Sequence, residues 1–176
     1  MDFLELAAKR ESCRNYADTP VDKNKLNLCL EAARLAPSAC NSQPWTMILA
    51  LTPEKVGQAA KAAQELGMNR FIGKAPAIAM VVEEKTNISS KFGGALKDQQ
   101  YAQTDIGLAV AHFCLEAMQL GLSTCIIGWF NEAQLKKDFD IPESKRVRLL
   151  IAVGYAADSS LREKKRRPVD EIARFV

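Results

Sequence analysis

Hydrophobic and polar positions along the chain follow two spacings, one typical of amphipathic helices and one typical of buried strands. A first helix is predicted after Asp2, which can cap it, and ends at about Lys9. A second is predicted from about Asp22 to Ala36, where Pro37 stops it. Its apolar positions cover most of the circumference, so we expect it to be buried on more than one side.

Two more helices are indicated by the same spacing. Thr52-Pro53-Glu54 combines a capping hydroxyl, a proline suited to a first turn and an acid, so a helix should begin there and end at Gly67. Its buried face is predicted to comprise Val56, Ala59, Ala60, Ala63 and Leu66. The longest helix is predicted over 105–120 and carries two apolar stripes. A helix of this kind needs two partners, such as a sheet and a second subunit.

Four apolar runs predict strands, interleaved with the helices. They cover 46–51, 77–82, 123–130 and 146–155. A short helix capped by Asn131 should end at about Phe139. The stretch 85–101 is polar and contains Gly93-Gly94, which predicts a loop or a mobile lid. The order of elements indicates an α+β, or mixed α/β, fold.

The length and the charge distribution refine this picture. A chain of 176 residues, 48% hydrophobic and 26% charged, suits a single domain over 1–176. The net charge is +3, and residues 160–176 alone hold six of the 24 basic and three of the 21 acidic side chains. The remainder is therefore neutral and the excess lies in a basic C-terminal tail (160–176). A broadly basic surface for nucleic acid is not expected.

Several other classes of protein are disfavoured. The longest uncharged run, 35–53, is broken by prolines and polar residues, so no membrane span is expected. The acidic start lacks the pattern of a signal peptide, which favours a cytoplasmic location. Five cysteines without a CxxC pair suggest reduced, packed thiols. His112 is the single histidine, so no metal site is predicted.

Two basic motifs could hold an anion. In Arg10-Glu11-Ser12-Cys13-Arg14, two arginines flank a hydroxyl just past a helix, a good arrangement for an anion, although a solvated connector would look similar. In the tail, Lys164-Lys165-Arg166-Arg167-Pro168 has no aromatic residues between its charges, which argues against single-stranded nucleic acid and leaves a single phosphate as a suitable ligand.

Two further motifs lie at element junctions. Ala36-Pro37-Ser38-Ala39-Cys40-Asn41-Ser42-Gln43-Pro44-Trp45 joins a buried helix to a buried strand and offers hydroxyls and amides. Gly128, at the end of an apolar run, suggests either a bulge or a close approach of the backbone to a ligand.

Taken together, these motifs resemble the FMN-dependent nitroreductase family along the whole chain. Five patterns occur in the family order: Arg-x-Ser-x-Arg-x-aromatic at 10–16, Ala-Pro-Ser-x-x-Asn-x-Gln-Pro-Trp at 36–45, Asp-x-Gly-x-Ala at 105–109, Leu-Gly-Leu-x-Thr-Cys-x-Ile-Gly at 120–128 and Lys-x-Arg-x-Pro at 164–168. The second is the most specific. The chain departs from the family in being short, in carrying Glu11 among the cations and in reading Ile127-Gly128-Trp129 where some members have Glu-Gly.

The resemblance implies a central, mainly antiparallel sheet flanked by helices, in an intertwined homodimer with two FMN sites at the subunit interface. Arg10 and Ser12 would contact the phosphate and ribityl chain, and Lys164 and Arg166 would close over the phosphate. Other implied roles fall on Arg14 at the pyrimidine edge, Pro37, Ser38 and Asn41 from the other subunit, Asn69 beside the ring or ribityl chain, and Ile127 and Gly128 near flavin N5.

The implied activity is hydride transfer from NADH or NADPH through FMN to an electrophilic small molecule, such as a nitroaromatic or a quinone. The flavin would carry the chemistry, so no catalytic side chain is predicted. Two alternatives stay open: a related flavin enzyme that dehalogenates its substrate or fragments FMN, and a flavin-binding protein without catalysis.

Overall fold

The computed structural model describes residues 2–158 and 160–176, apart from the side chain of Ala95. Helices within this part of the chain are α1 (Phe3–Lys9), α2 (Lys23–Arg34), α3 (Pro53–Ala63), α4 (Ile88–Lys97), α5 (Tyr101–Gln119), α6 (Glu132–Asp138) and α7 (Val169–Ile172). Strands are β1 (Trp45–Ala50), β2 (Ala77–Glu83), β3 (Ser123–Ile127) and β4 (Arg146–Gly154). Short 3₁₀ turns occupy Ala39–Asn41, Glu65–Gly67 and Arg70–Lys74.

The four strands form one antiparallel sheet in the order β1-β2-β4-β3. Strand β2 is central and buried on both faces, with a bulge between Val81 and Val82 where its register with β4 shifts. Its side chains alternate between two cores: Ile78 packs into one and Ala79 into the other. The prediction of a mixed α+β fold with a mainly antiparallel sheet is confirmed.

Helices cover both faces of this sheet. On one face, α3 and α6 pack against every second residue of the strands, including Ile78 and Met80 of β2. On the other, α2 and α5 pack against each other and against the sheet, with Phe113 of α5 fully buried between them. Each strand face therefore receives a helical layer, as its apolar sequence requires.

The predicted helix starts are confirmed by their caps. Side-chain oxygens of four N-cap residues accept backbone N–H groups of the first turns: Asp2, Asp22, Thr52 and Asn131. This satisfies donors that have no partner inside a helix. After α5, Gly121 takes a φ of +76°, the left-handed backbone expected of a glycine just past a helix.

The prediction of a loop over 85–101 is wrong. Asn87 caps α4, and Ile88, Phe92 and Leu96 recur at helical spacing within it. Gly94 is tolerated in this helix because it packs closely: a Cβ there would lie 2.8 Å from the carbonyl oxygen of Gln99. Short-range capping and periodicity thus outweighed the polar composition on which the prediction rested.

Two helix boundaries also differ from prediction. Helix α3 ends at Ala63 rather than Gly67, and Leu66, expected on its buried face, is 84% exposed. Leu66 has a φ of +55°, so the chain has left the helix by this point and its side chain turns outward. Helix α5 begins at Tyr101, four residues before the predicted start.

Some of the apolar residues predicted on second faces of α2 and α5 lie on the surface of the single chain. Leu28 in α2, Leu35 just after it and Leu108 in α5 are exposed. Only one of the two predicted partners of these helices is therefore supplied within the chain. Among the helices described, none has both the length and the apolar character needed to cross a membrane.

Candidate functional site

The first motif lies against the edge of the sheet. The Cys13 N–H donates to the Thr124 carbonyl oxygen in β3 at 2.9 Å, and the Ala17 N–H donates to the Tyr155 carbonyl oxygen at 2.9 Å. Between them, the Tyr16 hydroxyl donates to the Ala152 carbonyl oxygen of β4 at 3.3 Å. The segment is therefore held by backbone hydrogen bonds at Cys13 and at Ala17.

The C-terminal tail returns to the same segment. A guanidinium nitrogen of Arg162 (Nη2) donates to the Ser12 carbonyl oxygen at 2.6 Å, and the Arg162 N–H donates to a Glu11 carboxylate oxygen at 3.2 Å. Lys164 Nζ donates to the Ala8 carbonyl oxygen. The first and last basic motifs of the sequence are therefore brought together in space.

Between them is an open cavity of about 390 Å³, here termed the anion groove. It is lined by the predicted residues Arg10, Ser12, Arg14, Lys164 and Arg166, together with Glu11, Arg162, Glu163 and Lys165. Five of the residues predicted to bind the cofactor thus share one groove.

The groove carries unbalanced positive charge. Partial burial lowers the pKa of Lys164, and the neighbouring cations Arg10 and Arg166 lower it further. Glu11 pairs with Arg162, with 3.5 Å between the carboxylate and Nε. Across the described residues, no carboxylate lies within 4.0 Å of the charged nitrogens of Arg10, Lys164 or Arg166.

Such a donor set suits a phosphate. Three cations and the Ser12 hydroxyl offer charge-assisted hydrogen bonds, and guanidinium groups match phosphate oxygens in pairs. An adjoining cavity of about 450 Å³ extends from the same segment past Leu122 and Thr124. The residues present therefore fit the phosphate and chain of a flavin mononucleotide.

From the groove, contacts continue toward the end of β3. The Arg14 guanidinium lies over the Phe71 ring, 5.8 Å from its centroid. Close in sequence to Phe71, Asn69 donates through Nδ2 to the carbonyl oxygens of Ala63 and Trp129, each at 3.1 Å. Asn69 therefore fixes the loop that follows β3.

The end of β3 has free space beside its backbone. Ile127 is buried in the core, whereas Gly128 is exposed. A Cβ at Gly128 would meet no atom within 4 Å. The protein itself does not require a glycine here, which favours a ligand over internal packing as the reason for it.

The remaining predicted residues lie in a separate segment. Pro37, Ser38 and Asn41 precede β1 and do not line the anion groove of their own chain. Ser38 Oγ accepts the Gln43 N–H at 3.0 Å, and the Asn41 side-chain oxygen accepts from the Gln43 side chain at 3.0 Å. The predicted residues therefore fall into three groups: the five that line the groove, Asn69 with Ile127 and Gly128 at the end of β3, and this segment.

Four of the five cysteines are buried, and the ring of His112 is hydrogen-bonded to its own helix. Burial raises the pKa values of Cys13, Cys114 and Cys125, and raises the pKa of Cys29 to about 12. All five cysteines, including the exposed Cys40, are unpaired by disulfides. His112 is exposed and its Nδ1 lies 2.8 Å from the Leu108 carbonyl oxygen of its own helix. Within the described residues, no group of three His, Cys, Asp or Glu side chains could hold a metal ion.

The sequence model of the Nitroreductase family matches residues 7–66 and 52–155. The chain belongs to the nitroreductase family. Individual relatives resemble it over most of their length and of its own.

A nitroreductase family structure from Clostridium difficile 630 is 29% identical and superimposes with a TM-score of 0.79, covering 99% of this chain and 98% of that one. "NADH dehydrogenase" from Thermus thermophilus is 28% identical over 90% of this chain and 88% of its own length. "FMN reductase [NAD(P)H]" from Bacillus subtilis is 25% identical over 97% of this chain and 72% of its own.

Sequence reasoning missed two residues of this candidate site. Arg162 was counted with the tail cations but not placed in the site, although the structure makes it the link between tail and groove. Phe71 stacks with Arg14, and nothing in its local sequence distinguishes it from a core aromatic. The apparent misfit of Glu11 is explained by Arg162, which neutralises it.

Proposed function

We propose that this protein is an FMN-dependent oxidoreductase that uses NADH or NADPH to reduce an electrophilic small molecule, such as a nitroaromatic or a quinone. The observation that carries the proposal is the anion groove, in which Arg10, Lys164 and Arg166 converge without a carboxylate partner among the described residues. The names of its relatives, FMN reductase and NADH dehydrogenase, support the same class of reaction.

In this proposal the chain's own residues bind and orient the cofactor. Arg10, Lys164 and Arg166 hold the phosphate, and Ser12 binds the phosphate or the ribityl chain. Arg14 would lie nearer the pyrimidine edge, where a cation stabilises negative charge on the reduced ring. Asn69 would lie beside the ring or ribityl chain. Bound FMN would supply the redox chemistry, accepting hydride and passing it on.

At the end of β3, the backbone of Ile127 and Gly128 would lie near flavin N5. The open space beside Gly128 lets a planar ring approach the backbone, and a backbone N–H there can donate to a ring nitrogen. No side chain is needed as nucleophile or metal ligand. This is consistent with a chain whose single histidine is bonded to its own helix.

We further propose a homodimer in which Pro37, Ser38 and Asn41 reach the flavin held by the other subunit. Exposed apolar side chains support it: Leu28 on α2 and Leu35 just after it, Leu108 on α5, Phe3 and Leu4 on α1, and Val169, Ile172, Phe175 and Val176 in the tail. Contact with a second copy of the chain would remove these side chains from water, which favours association. Light scattering should give twice the chain mass, and a monomer that binds FMN would contradict the shared site.

The cofactor is tested first. Purified protein should be yellow, and the chromophore released by denaturation should be FMN. Anaerobic addition of NADH or NADPH should bleach the flavin absorbance. If FMN binds but is never reduced, the protein binds flavin without turning it over.

The acceptor is tested next. Oxidation of NADH or NADPH should depend on an added nitroaromatic or quinone. A parallel reaction with a halogenated tyrosine and chemically reduced flavin separates the dehalogenase alternative, and analysis of the flavin after aerobic reduction separates the FMN-fragmenting one. Absence of pyridine-nucleotide oxidation with every acceptor would contradict the reductase proposal.

A further inference from the structure

Residues 38–43, here termed the crossover segment, have an unusual backbone. Cys40 and Asn41 both have a φ of +51°, and Gln43 has a φ of +46°. These are left-handed conformations in residues other than glycine, and they cost free energy unless the surrounding structure enforces them. Something outside the segment must therefore hold it in this shape.

One restraint comes from α5. The Asp105 carboxylate accepts the Ala39 N–H, with its two oxygens 3.1 and 3.2 Å from the nitrogen. Asp105 is only 4% exposed. A buried carboxylate bonded to a backbone N–H makes a stronger contact than a neutral acceptor would. This contact fixes the start of the left-handed turn.

A second restraint comes from the residue that begins α4. Asn87 Nδ2 donates to the Cys40 carbonyl oxygen at 2.9 Å, and the Asn87 N–H donates to Ser42 Oγ at 2.9 Å. Its side-chain oxygen accepts the Ser90 N–H at 2.9 Å and so caps the helix. One amide side chain therefore joins the start of α4 to the crossover segment.

We propose that Asn87 and Asp105 are positioning residues for the flavin: they hold the crossover segment in the left-handed shape in which Ser38 and Asn41 meet the cofactor of the other subunit. The inference rests on the proposed contact of Pro37, Ser38 and Asn41 with FMN. It adds that placement of α4 and the shape of this segment are linked through Asn87.

The two roles of Asn87 can be separated. Asn87→Asp keeps an oxygen that caps α4, since aspartate and asparagine cap helices about equally well, but removes the donor to Cys40. FMN affinity of the apoprotein should fall about three- to tenfold, since the binding-competent shape is less populated. The unfolding temperature of the apoprotein should stay close to that of wild type.

Thr52→Ala is the matched control. It removes the cap of α3, a helix whose N-terminus makes no hydrogen bond to the crossover segment. We expect lower stability and unchanged FMN affinity, the reverse of Asn87→Asp. At the other restraint, Asp105→Ala should weaken FMN binding, and Asp105→Asn, which retains an oxygen acceptor, should restore most of it.

Amide hydrogen exchange of the apoprotein gives a readout that needs no cofactor. Peptides covering 38–43 should exchange faster in Asn87→Asp and in Asp105→Ala than in wild type. Unchanged exchange would show that neither residue holds the segment and would overturn the inference. Faster exchange with wild-type FMN affinity would also overturn it, because the segment's shape would not matter to the flavin. Failure of the wild-type protein to bind FMN would instead contradict the proposed function.

Discussion

The Arg162 guanidinium donates a hydrogen bond to the carbonyl oxygen of Ser12, 150 positions earlier in the chain, at 2.6 Å. The bond helps to form the anion groove, because it holds the tail that carries Lys164 and Arg166 next to the segment that carries Arg10. The charge excess of the sequence thus has a defined place. It is part of a site built from both terminal regions.

Arg162→Ala should weaken FMN binding although Arg162 is not assigned to the phosphate. Loss of the hydrogen bond to Ser12 leaves Lys164 and Arg166 less firmly placed. Fluorescence titration with FMN measures the affinity, and limited proteolysis of the tail reports its release. Glu11→Gln should have the smaller effect, since Arg162 is largely exposed and such ion pairs contribute below about 1 kcal/mol. Equal losses of affinity in the two variants would assign the placement of the tail to the ion pair instead.

The phosphate assignment is tested by two neighbouring arginines in the tail. Arg166→Ala should reduce FMN affinity about ten- to a hundredfold, equivalent to about 1.5–3 kcal/mol for a charge-assisted contact. Arg167→Ala is the control, because Arg167 pairs with Glu171 and does not line the groove. Affinity is measured by titration of apoprotein with FMN. Equal losses would point to general electrostatic attraction in place of a specific contact.

Arg10→Ala should behave like Arg166→Ala, because both side chains line the groove and both lower the pKa of Lys164. Arg10→Ala removes the positive charge of Arg10 that repels the Lys164 ammonium group. The pKa of Lys164 should therefore rise toward its usual value. Flavin retained after gel filtration measures the first effect. If Arg10→Ala and Arg166→Ala both purify with full flavin, the phosphate lies elsewhere.

The thiols predict a pH dependence of stability. Burial raises the pKa of Cys29 to about 12, so its thiol stays protonated in the folded protein at pH values where it ionises in the unfolded chain. Its contribution is complete below the unfolded pKa of about 8.5 and is lost as pH rises from there toward about 12. The unfolding temperature of Cys29→Ala should therefore fall less steeply with rising pH over this range than that of wild type. A parallel decline would assign the loss to other groups.

Two glycines should respond in opposite directions to alanine. A Cβ at Gly154 would lie 2.5 Å from Pro76 Cδ and 2.8 Å from Tyr16 Cδ1, so Gly154→Ala should destabilise by about 1–3 kcal/mol. A Cβ at Gly57, inside α3, would meet nothing within 4 Å, so Gly57→Ala should stabilise by about 0.5–1 kcal/mol. Denaturant unfolding measures both. Stability unchanged by Gly154→Ala would show that Pro76 and Tyr16 can move aside.

Prediction from sequence succeeded where local chemistry decides the structure. Asp22 caps α2 and Gly121 ends α5, so each acts within a few residues and could be predicted from the local sequence. Helix α4 was missed although its cap, Asn87, and its spacing are local, because the polar composition and Gly93-Gly94 were given more weight. Arg162 was missed for a different reason, since its partner lies at the other end of the chain.

The grouping of Arg10, Ser12 and Arg14 with the tail cations came from family resemblance, and spacing alone could not have given it. Residues so far apart in the sequence share no periodicity that marks them as neighbours. By contrast, the open space beside Gly128 was partly foreseen, because a glycine within an apolar run suggests a backbone approach. A bulge is not the explanation in the structure. Ser123–Ile127 pair with β4 without a shift in register, and Gly128 lies just after this strand.

The contacts of Arg162 and Lys164 with Ser12 and Ala8 also bear on how the chain can be shortened. Chain ends are usually the part of a domain that tolerates truncation best. Here both terminal regions line one groove, so removing residues 162–176 would also leave the segment 8–12 without these two contacts. Truncation at either end should therefore weaken FMN binding.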